Sequence, residues 1–336
     1  MTRLSKLLGT VLIAPFLALA QSSNNVDLFN YLMPDAQFIA GIHVDAAKNS
    51  TFGQYVLSQL PAQSSFLNEF ISHTGIDPRS DLTEIIIGWN GAAKDNRHWI
   101  VAARGTLGAA LPTLEANATQ HGAVITHMGD VDIISDESTK SGGTDVCVAL
   151  FTDGFTDLAG DCTSVHAAIE FSSTAPGAGS AFALQAQQLR AKQDLWLASM
   201  VPIAQFAAQL GGGSAQGSSN QNPFLHNNLI QGIQQITGGV KFTAGAQPGA
   251  QLNGDVTMDS AQSATSLTNV INFLASLLKS NTQGGSSVAF LTLLENLTVT
   301  PQGNIVSLSL SVPETTLEQL FQQLDMLHTV AENRAK

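Results

Sequence analysis

Cysteine, charged residues and aromatic residues are all scarce in this sequence. Its 336 residues include 2 cysteines, 12% charged residues and 6% aromatic residues. Charged residues therefore reach only about half of their usual share, and we expect neutral polar residues and glycine to supply much of the surface. No C-x-x-C motif occurs, so nothing in the sequence indicates a reactive dithiol.

Positive charge is the scarcest kind of charge. The chain has 14 Lys and Arg against 26 Asp and Glu, a formal net charge of −12. Binding to phosphate groups requires clustered Lys and Arg. The sequence therefore disfavours nucleic acids and anionic lipid surfaces as partners.

The motifs of common catalytic and nucleotide-binding sites are also missing. No G-x-S-x-G is present, and Ser214, which follows three glycines, lacks the second flanking glycine of a nucleophile elbow. Neither the phosphate-binding G-x-x-x-x-G-K-[ST] nor a G-x-G-x-x-G at a strand-to-helix turn occurs. The sequence predicts no cofactor.

Metal-binding patterns are weak. The 8 histidines include no H-x-x-x-H pair, and His121 and His127 merely bracket a short predicted strand. The oxygen-rich stretch with Asp130, Asp132, Asp136 and Glu137 lacks the order of acidic residues and glycine that an EF-hand needs. It also fits a strand with one solvent-exposed face, and this interpretation predicts no metal site.

Long hydrophobic runs are confined to the N-terminus. Arg3 and Lys6 precede an apolar run from Leu7 to Leu19, and Ala18-Leu19-Ala20 fits a signal peptidase site. We predict a signal peptide over residues 1–20, cleaved before Gln21, which leaves a net charge of 12 − 26 = −14. No later stretch reaches the roughly 18 apolar residues of a membrane-spanning helix. The mature protein is predicted to be soluble and extracytoplasmic, in the periplasm or secreted.

The two cysteines, Cys147 and Cys162, are predicted to form a disulfide, because export favours pairing. They flank two strand-like runs around the turn dipeptide Asp153-Gly154. A two-residue turn would place Cys147 opposite Gly160, and a four-residue loop would place it opposite Cys162. Only the longer loop, or a bulge, is expected to give the spacing of a disulfide.

The same hairpin carries Asp153, Asp157 and Asp161, which could supply paired carboxylates for acid–base chemistry. Turn formation also explains Asp153, and helix capping also explains Asp161. The three tryptophans lie in predicted strands, and packing explains them better than sugar binding.

Three segments share the order strand, turn, strand, helix: Val146 to Glu170, Gly239 to Leu278, and Leu297 to His328. This order predicts an α+β fold in which antiparallel sheets carry helices on one face. We predict two related halves, residues 21–178 and 179–336, with a mobile Gly/Ser/Asn/Gln-rich loop at 211–222. Residues 21–30 are predicted to be a loose start or a short helix, with folding beginning near Tyr31.

Three phrases carry a resemblance to known sequences. They are Leu32 to Val44 (LMPDAQFIAGIHV), Ser50 to Gly53 (STFG), and Thr74 to Glu84 (TGIDPRSDLTE) with the following Ile85 to Ile87. They resemble a group of uncharacterised exported bacterial proteins, of the acidobacterial and planctomycete type. The resemblance implies an exported α+β module and assigns no site residue.

Apolar stripes without a convergent polar site favour a non-catalytic binding module. The expected ligand is a hydrophobic small molecule or an envelope protein. One alternative is a hydrolase whose Ser, His and Asp converge only in space. A His within hydrogen-bond reach of a Ser or Asp beside a cleft would support it. The other alternative is a structural component of the envelope, which would self-associate.

Overall fold

The computed structural model describes residues 26–59, 65–91, 97–135, 145–172, 174, 179–201, 231–245, 247–280 and 293–322. The predicted signal peptide, Ser214 and the predicted loop at 211–222 lie outside these residues. None of the helices within the described ranges is long and apolar enough to cross a membrane.

The described residues form one antiparallel sheet of twelve strands. The strands are β1 (Phe38–His43), β2 (Leu82–Trp89), β3 (Trp99–Gly105), β4 (Val124–Met128), β5 (Val131–Ser135), β6 (Val146–Phe151), β7 (Thr156–Asp161), β8 (Leu195–Ser199), β9 (Ile233–Thr243), β10 (Gly249–Met258), β11 (Leu297–Gln302) and β12 (Ile305–Pro313). Their order across the sheet is β11-β12-β10-β9-β8-β1-β2-β3-β7-β6-β5-β4.

Helices connect the strands and cover parts of the sheet. A 3₁₀ helix at Leu28–Tyr31 is followed by α1 (Val44–Asn49), α2 (Thr51–Gln59), α3 (Ser65–Thr74), α4 (Leu111–Gln120), α5 (Cys162–Phe171), α6 (Ala181–Arg190) and α7 (Ala261–Ser280). Residues 314–322 are also helical. The predicted α+β class is confirmed, as one continuous sheet rather than several.

The sheet joins the two predicted halves through its central strands. β1 pairs with β8 in antiparallel orientation, with Ala40 opposite Leu197. Read outward from this pair, the strands are β1-β2-β3-β7-β6 on one side and β8-β9-β10-β12-β11 on the other. In both series the first three strands follow chain order and the last two are reversed. The division at residues 178 and 179 stays a prediction.

The apolar side of the sheet changes along its width. We call the face that carries Ile39, Ile86 and Ala198 the front face, and α5 and α6 pack against it. Beyond β8 the apolar residues lie on the opposite, back face, where Met258 and Val306 pack under α7. The prediction that helices cover one face is therefore wrong.

The front face is polar where the back face is apolar. The residues of β9, β10 and β12 that continue the front face are Thr237, Asn253, Asp255, Ser307 and Ser309. They form hydrogen bonds with one another, such as Ser307 Oγ to Asp255 Oδ1 at 2.6 Å. An apolar helix would gain little by covering this surface, so α7 packs on the other side of the same strands.

The core begins earlier in the chain than predicted. Residues 28–31 form the expected short helix, but Leu28 and Phe29 are fully buried. Phe29 stacks on Trp196 of β8, with ring centroids 5.6 Å apart. Gly41 of β1 makes room for Trp196, since a Cβ there would lie 2.5 Å from its ring.

The Cys147–Cys162 disulfide is confirmed, but the expected hairpin register is wrong. Cys147 lies opposite Gly160, the register of the two-residue turn, and not opposite Cys162. The bond still forms because Cys162 is the first residue of α5, where the chain turns away from β7. This turn brings the two Cα atoms to within 4.8 Å of each other.

Candidate functional site

An apolar groove crosses the back face at the centre of the sheet. Two rows of paired residues cross β2, β1, β8, β9 and β10: Ile87, Ala40, Leu197, Gly238 and Gly254 in the first, and Ile85, Ile42, Leu195, Val240 and Leu252 in the second. Both halves of the chain contribute to it. Its volume is about 570 Å³.

Two glycines deepen one end of this groove. Gly238 and Gly254 lie opposite each other on β9 and β10, so the first row has no side chains there. In the same row, Ile87 at the opposite end and Leu197 in the middle remain 39% and 38% exposed. Exposed β-branched and aliphatic side chains on central strands are unusual, because such strands normally pack against another layer.

No charged side chain lines the groove among the residues that the structure describes. Thr237 and Asn253, which border it, direct their side chains to the front face, as the strand register requires. The groove therefore offers aliphatic contact without a fixed polar partner. Such a surface favours apolar chains over polar or charged molecules.

A cluster of aromatic residues lies beyond one end of the groove. Phe242 follows Val240 on the same face of β9, and it stacks on Phe52 of α2 with centroids 6.3 Å apart. Phe321 contacts both Phe52 and Tyr55 edge-on, at 6.4 and 6.1 Å. These contacts connect α2 to the helix over residues 314–322 across the two halves.

A second pocket, of about 440 Å³, lies beside α5. We call it the α5 pocket; its walls are Tyr31, Leu32, Met33, Pro34, Asp35, His98, Thr163, Ser164, Ala167, Ala168 and Phe171. Most of these side chains are apolar, and Asp35, His98, Thr163 and Ser164 are polar. Phe171 is half exposed at its edge.

Asp157 and Asp161 of the cysteine hairpin are too far apart to form a carboxylate pair. Asp153 lies in the turn and accepts a hydrogen bond from the backbone N–H of Phe155 at 2.9 Å. Asp157 and Asp161 are four residues apart on β7, a separation of about 13 Å along an extended strand. Their environments differ so strongly that each has a different role.

Asp161 is a helix cap that also fixes a histidine. Its carboxylate accepts hydrogen bonds from Ser164 N at 3.0 Å, Ser164 Oγ at 2.7 Å and Trp99 N at 2.7 Å. His98 Nδ1 lies 3.2 Å from Oδ1 of the same carboxylate. Burial opposes ionisation, but the hydrogen bonds from Ser164, Trp99 and His98 outweigh it and lower the pKa of Asp161.

This group bears directly on the hydrolase alternative, because it places Ser, His and Asp beside a pocket. In a Ser–His–Asp triad the imidazole lies between the hydroxyl and the carboxylate. Here the carboxylate of Asp161 lies between Ser164 and His98. The hydroxyl of Ser164 therefore donates its hydrogen to a carboxylate, which is a weaker base than an imidazole. The arrangement does not activate Ser164 as a nucleophile in the manner of that triad.

Asp157 is the buried carboxyl of the hairpin. It is 7% exposed, and neither carboxylate oxygen forms a regular hydrogen bond within the described part of the chain. Burial raises the pKa of Asp157 to about 7; the nearby backbone N–H of Phe151 opposes this shift, and the charge of Asp153 adds to it. No pocket described above is lined by Asp157.

The residues considered as metal ligands are not brought together. His121 is the C-cap of α4, whereas His127 of β4 forms a hydrogen bond with Asp132 of β5. Asp136 and Glu137 lie outside the described residues. Within those residues, no group of three or more His, Cys, Asp or Glu side chains is placed to hold a metal ion.

Sequence reasoning missed the groove, although its components are visible in the sequence. Ala40 and Ile42, like Leu195 and Leu197, alternate as strand residues do, and this alternation indicates an apolar face. It does not show whether another layer covers that face. The Gly238 and Gly254 pair was the one available signal of a depression, since strand glycines often mark a close approach.

Comparisons with known proteins reveal no relative. No protein-family model matches the chain, and no curated protein or solved structure is significantly similar to it. The resemblance to exported bacterial proteins stays a prediction, as does the extracytoplasmic location.

Proposed function

We propose that this protein is a non-catalytic binding protein for an apolar small molecule, such as an acyl chain, held in the central groove. The observation that carries this proposal is the pair of apolar rows on the back face, with Ile87 and Leu197 exposed in it. The volume of about 570 Å³ lies within the range of about 300–1,000 Å³ that is typical of ligand pockets.

The shape of the groove favours a narrow ligand over a protein partner. Its depth comes from two glycine positions, and a flexible chain can follow such a depression more closely than a folded surface can. The absence of charged residues from its described lining means that a polar head group would stay in water. Affinity would come from burial of the chain, at roughly 0.8 kcal/mol for each CH₂ group before the costs of association.

The test is a titration of the mature protein with a fluorescent fatty acid, followed by native mass spectrometry. Leu197→Asp places a carboxylate in the groove and should weaken binding at least about tenfold, because an apolar chain would have to desolvate that charge. Leu184→Asp is the matched control, since Leu184 is also an exposed leucine, 49% accessible, but lies on α6. It should bind the probe as the unsubstituted protein does.

A neutral variant separates steric exclusion from the effect of charge. A Cβ at Gly254 would meet only the carbonyl oxygen of Thr237, at 3.4 Å, so a side chain fits the backbone there. Gly254→Leu should fill the groove and also abolish binding, with the free energy of unfolding little changed. Undiminished binding by both groove variants, or no binding by the unsubstituted protein, would rule the proposal out.

A further inference from the structure

We propose that the α5 pocket is a second binding site, for an uncharged amphiphile whose hydroxyl group donates a hydrogen bond to Nε2 of His98. The apolar part of the molecule would lie along Leu32, Met33, Ala167 and Phe171. This site does not depend on the central groove, because the two cavities share no lining residue.

The tautomer of His98 follows from its partner. Asp161 is ionised and already accepts hydrogen bonds from Trp99 and Ser164, so its carboxylate can only accept from the imidazole. Nδ1 of His98, 3.2 Å away, must therefore carry a hydrogen. In the neutral ring this leaves Nε2 with a lone pair, which makes it a hydrogen-bond acceptor.

Backbone hydrogen bonds hold the main chain of His98 beside the pocket, and the contact of Nδ1 with Asp161 holds its ring. His98 N donates to Asn90 Oδ1 at 3.1 Å, and Asn90 N donates to the carbonyl of His98 at 3.0 Å. The side chain of His98 is 41% exposed and lines the pocket. Within the described ranges, no residue forms a hydrogen bond with Nε2. A ligand that supplies a hydrogen would satisfy this atom.

The negative charges at the α5 pocket favour a neutral ligand. Asp35 lines the α5 pocket, Asp161 lies behind His98, and the described lining includes neither Lys nor Arg. A carboxylate ligand would meet two like charges without a cation to balance them. An alcohol carries no charge and provides the hydrogen that Nε2 lacks, whereas an ether of the same size does not.

The experiment compares decan-1-ol with its isomer nonyl methyl ether, which has the same number of atoms but no hydroxyl hydrogen. Both are titrated by calorimetry into the Leu197→Asp variant, so that the central groove does not contribute. The alcohol should bind roughly fivefold more tightly, the effect of one neutral hydrogen bond. Decanoate should bind more weakly than the alcohol.

His98→Asn tests the role of Nε2 without removing the interaction with Asp161. The Asn amide can still donate to the carboxylate as Nδ1 does, but it has no group in the position of Nε2. The preference for the alcohol should disappear in this variant and persist in His166→Asn, where the substituted histidine is exposed on α5. A purely structural role of His98 would change both affinities equally and leave the preference intact.

A blocking variant shows where the probe binds. Ala167→Trp places a large ring in the α5 pocket and should prevent binding of both probes. The proposal is overturned if neither probe binds, if binding survives Ala167→Trp, or if His98→Asn retains the preference. It is supported if the preference exists and only the substitution of His98 removes it.

Discussion

Arg190 donates two hydrogen bonds to the carboxylate of Glu84, from Nε to Oε1 at 2.6 Å and from Nη2 to Oε2 at 2.7 Å. The pair joins α6 to β2, across the centre of the sheet. Nη1 of Arg190 also contacts both carboxylate oxygens of Asp27, at 2.7 and 2.9 Å, and the guanidinium lies over the ring of Phe29. One arginine thus holds the start of the core against both halves of the chain.

Replacing Arg190 with Met should lower the free energy of unfolding by about 3 kcal/mol, because it removes two hydrogen bonds from the buried Glu84 and leaves His43 Nδ1, 3.5 Å from Oε1, as its remaining ion-pair partner. Glu84 is only 6% exposed, so water cannot replace the lost hydrogen bonds. Urea denaturation at neutral pH measures the loss. The double variant Glu84→Gln/Arg190→Met removes both charges and should be more stable than Arg190→Met alone. Equal stability of the two variants would contradict this account.

The disulfide makes a separate contribution to stability. It joins residues with a sequence separation of 15. For a loop of this length, the lower entropy of the cross-linked unfolded chain stabilises the folded state by about 3 kcal/mol. Cys147→Ala/Cys162→Ala should therefore lower the midpoint of urea denaturation, and the reduced wild-type protein should show a similar loss. An unchanged midpoint in both would mean that the reduced chain already has this local structure when unfolded.

Asp161→Asn should lower the free energy of unfolding, measured by urea denaturation, by about 2 kcal/mol at pH 7. The substitution removes a charged N-cap of α5 and the charged partner of His98. The pKa of Asp161 is lowered in the folded protein, so its stabilisation is present above the unfolded pKa of about 3.9 and is lost as the pH falls through the folded pKa. The difference between variant and wild type should therefore shrink at pH 3. A constant difference from pH 7 to pH 3 would argue against an ionised cap.

Local patterns predicted many single elements. Apolar runs predict strands from Leu82 to Trp89 and from Trp99 to Arg104, and helical spacing predicts a helix from Thr163 to Glu170. β2 has the predicted bounds, and β3 and α5 differ from theirs by at most one residue at each end. These segments have strong periodicity and clear boundaries. Helix α6 was not predicted, because its alanines and glutamines carry little apolar contrast.

Pairing over long distances could not be predicted from local patterns. β1 and β8 are neighbours in the sheet although more than 150 residues separate them in the chain. This pairing creates the groove, because it places Ala40 beside Leu197. The position of α7 depends on the same arrangement, since only the assembled sheet shows which face of β9 and β10 is polar.

Asp157 should make stability depend on pH in the opposite direction to Asp161. Burial raises its pKa to about 7 in the folded protein, against about 3.9 when unfolded, so the folded state holds the proton more tightly. The contribution of Asp157 to stability should therefore be greatest below pH 4. The free energy of unfolding should fall by up to about 4 kcal/mol as the pH rises from there through 7.

Asp157→Asn removes this ionisation, so the variant should be more stable than the wild type by about 1.5 kcal/mol at pH 5, where the unfolded carboxyl is already ionised, and by about 4 kcal/mol at pH 8. Urea denaturation at the two pH values measures the effect, with Asp130→Asn, at an exposed turn position, as the control. The control should show the same loss between pH 5 and pH 8 as the wild type, because Asp130 is accessible to water in the folded protein. If Asp157→Asn shows that loss as well, another group causes it, and the carboxyl of Asp157 is hydrated despite its burial.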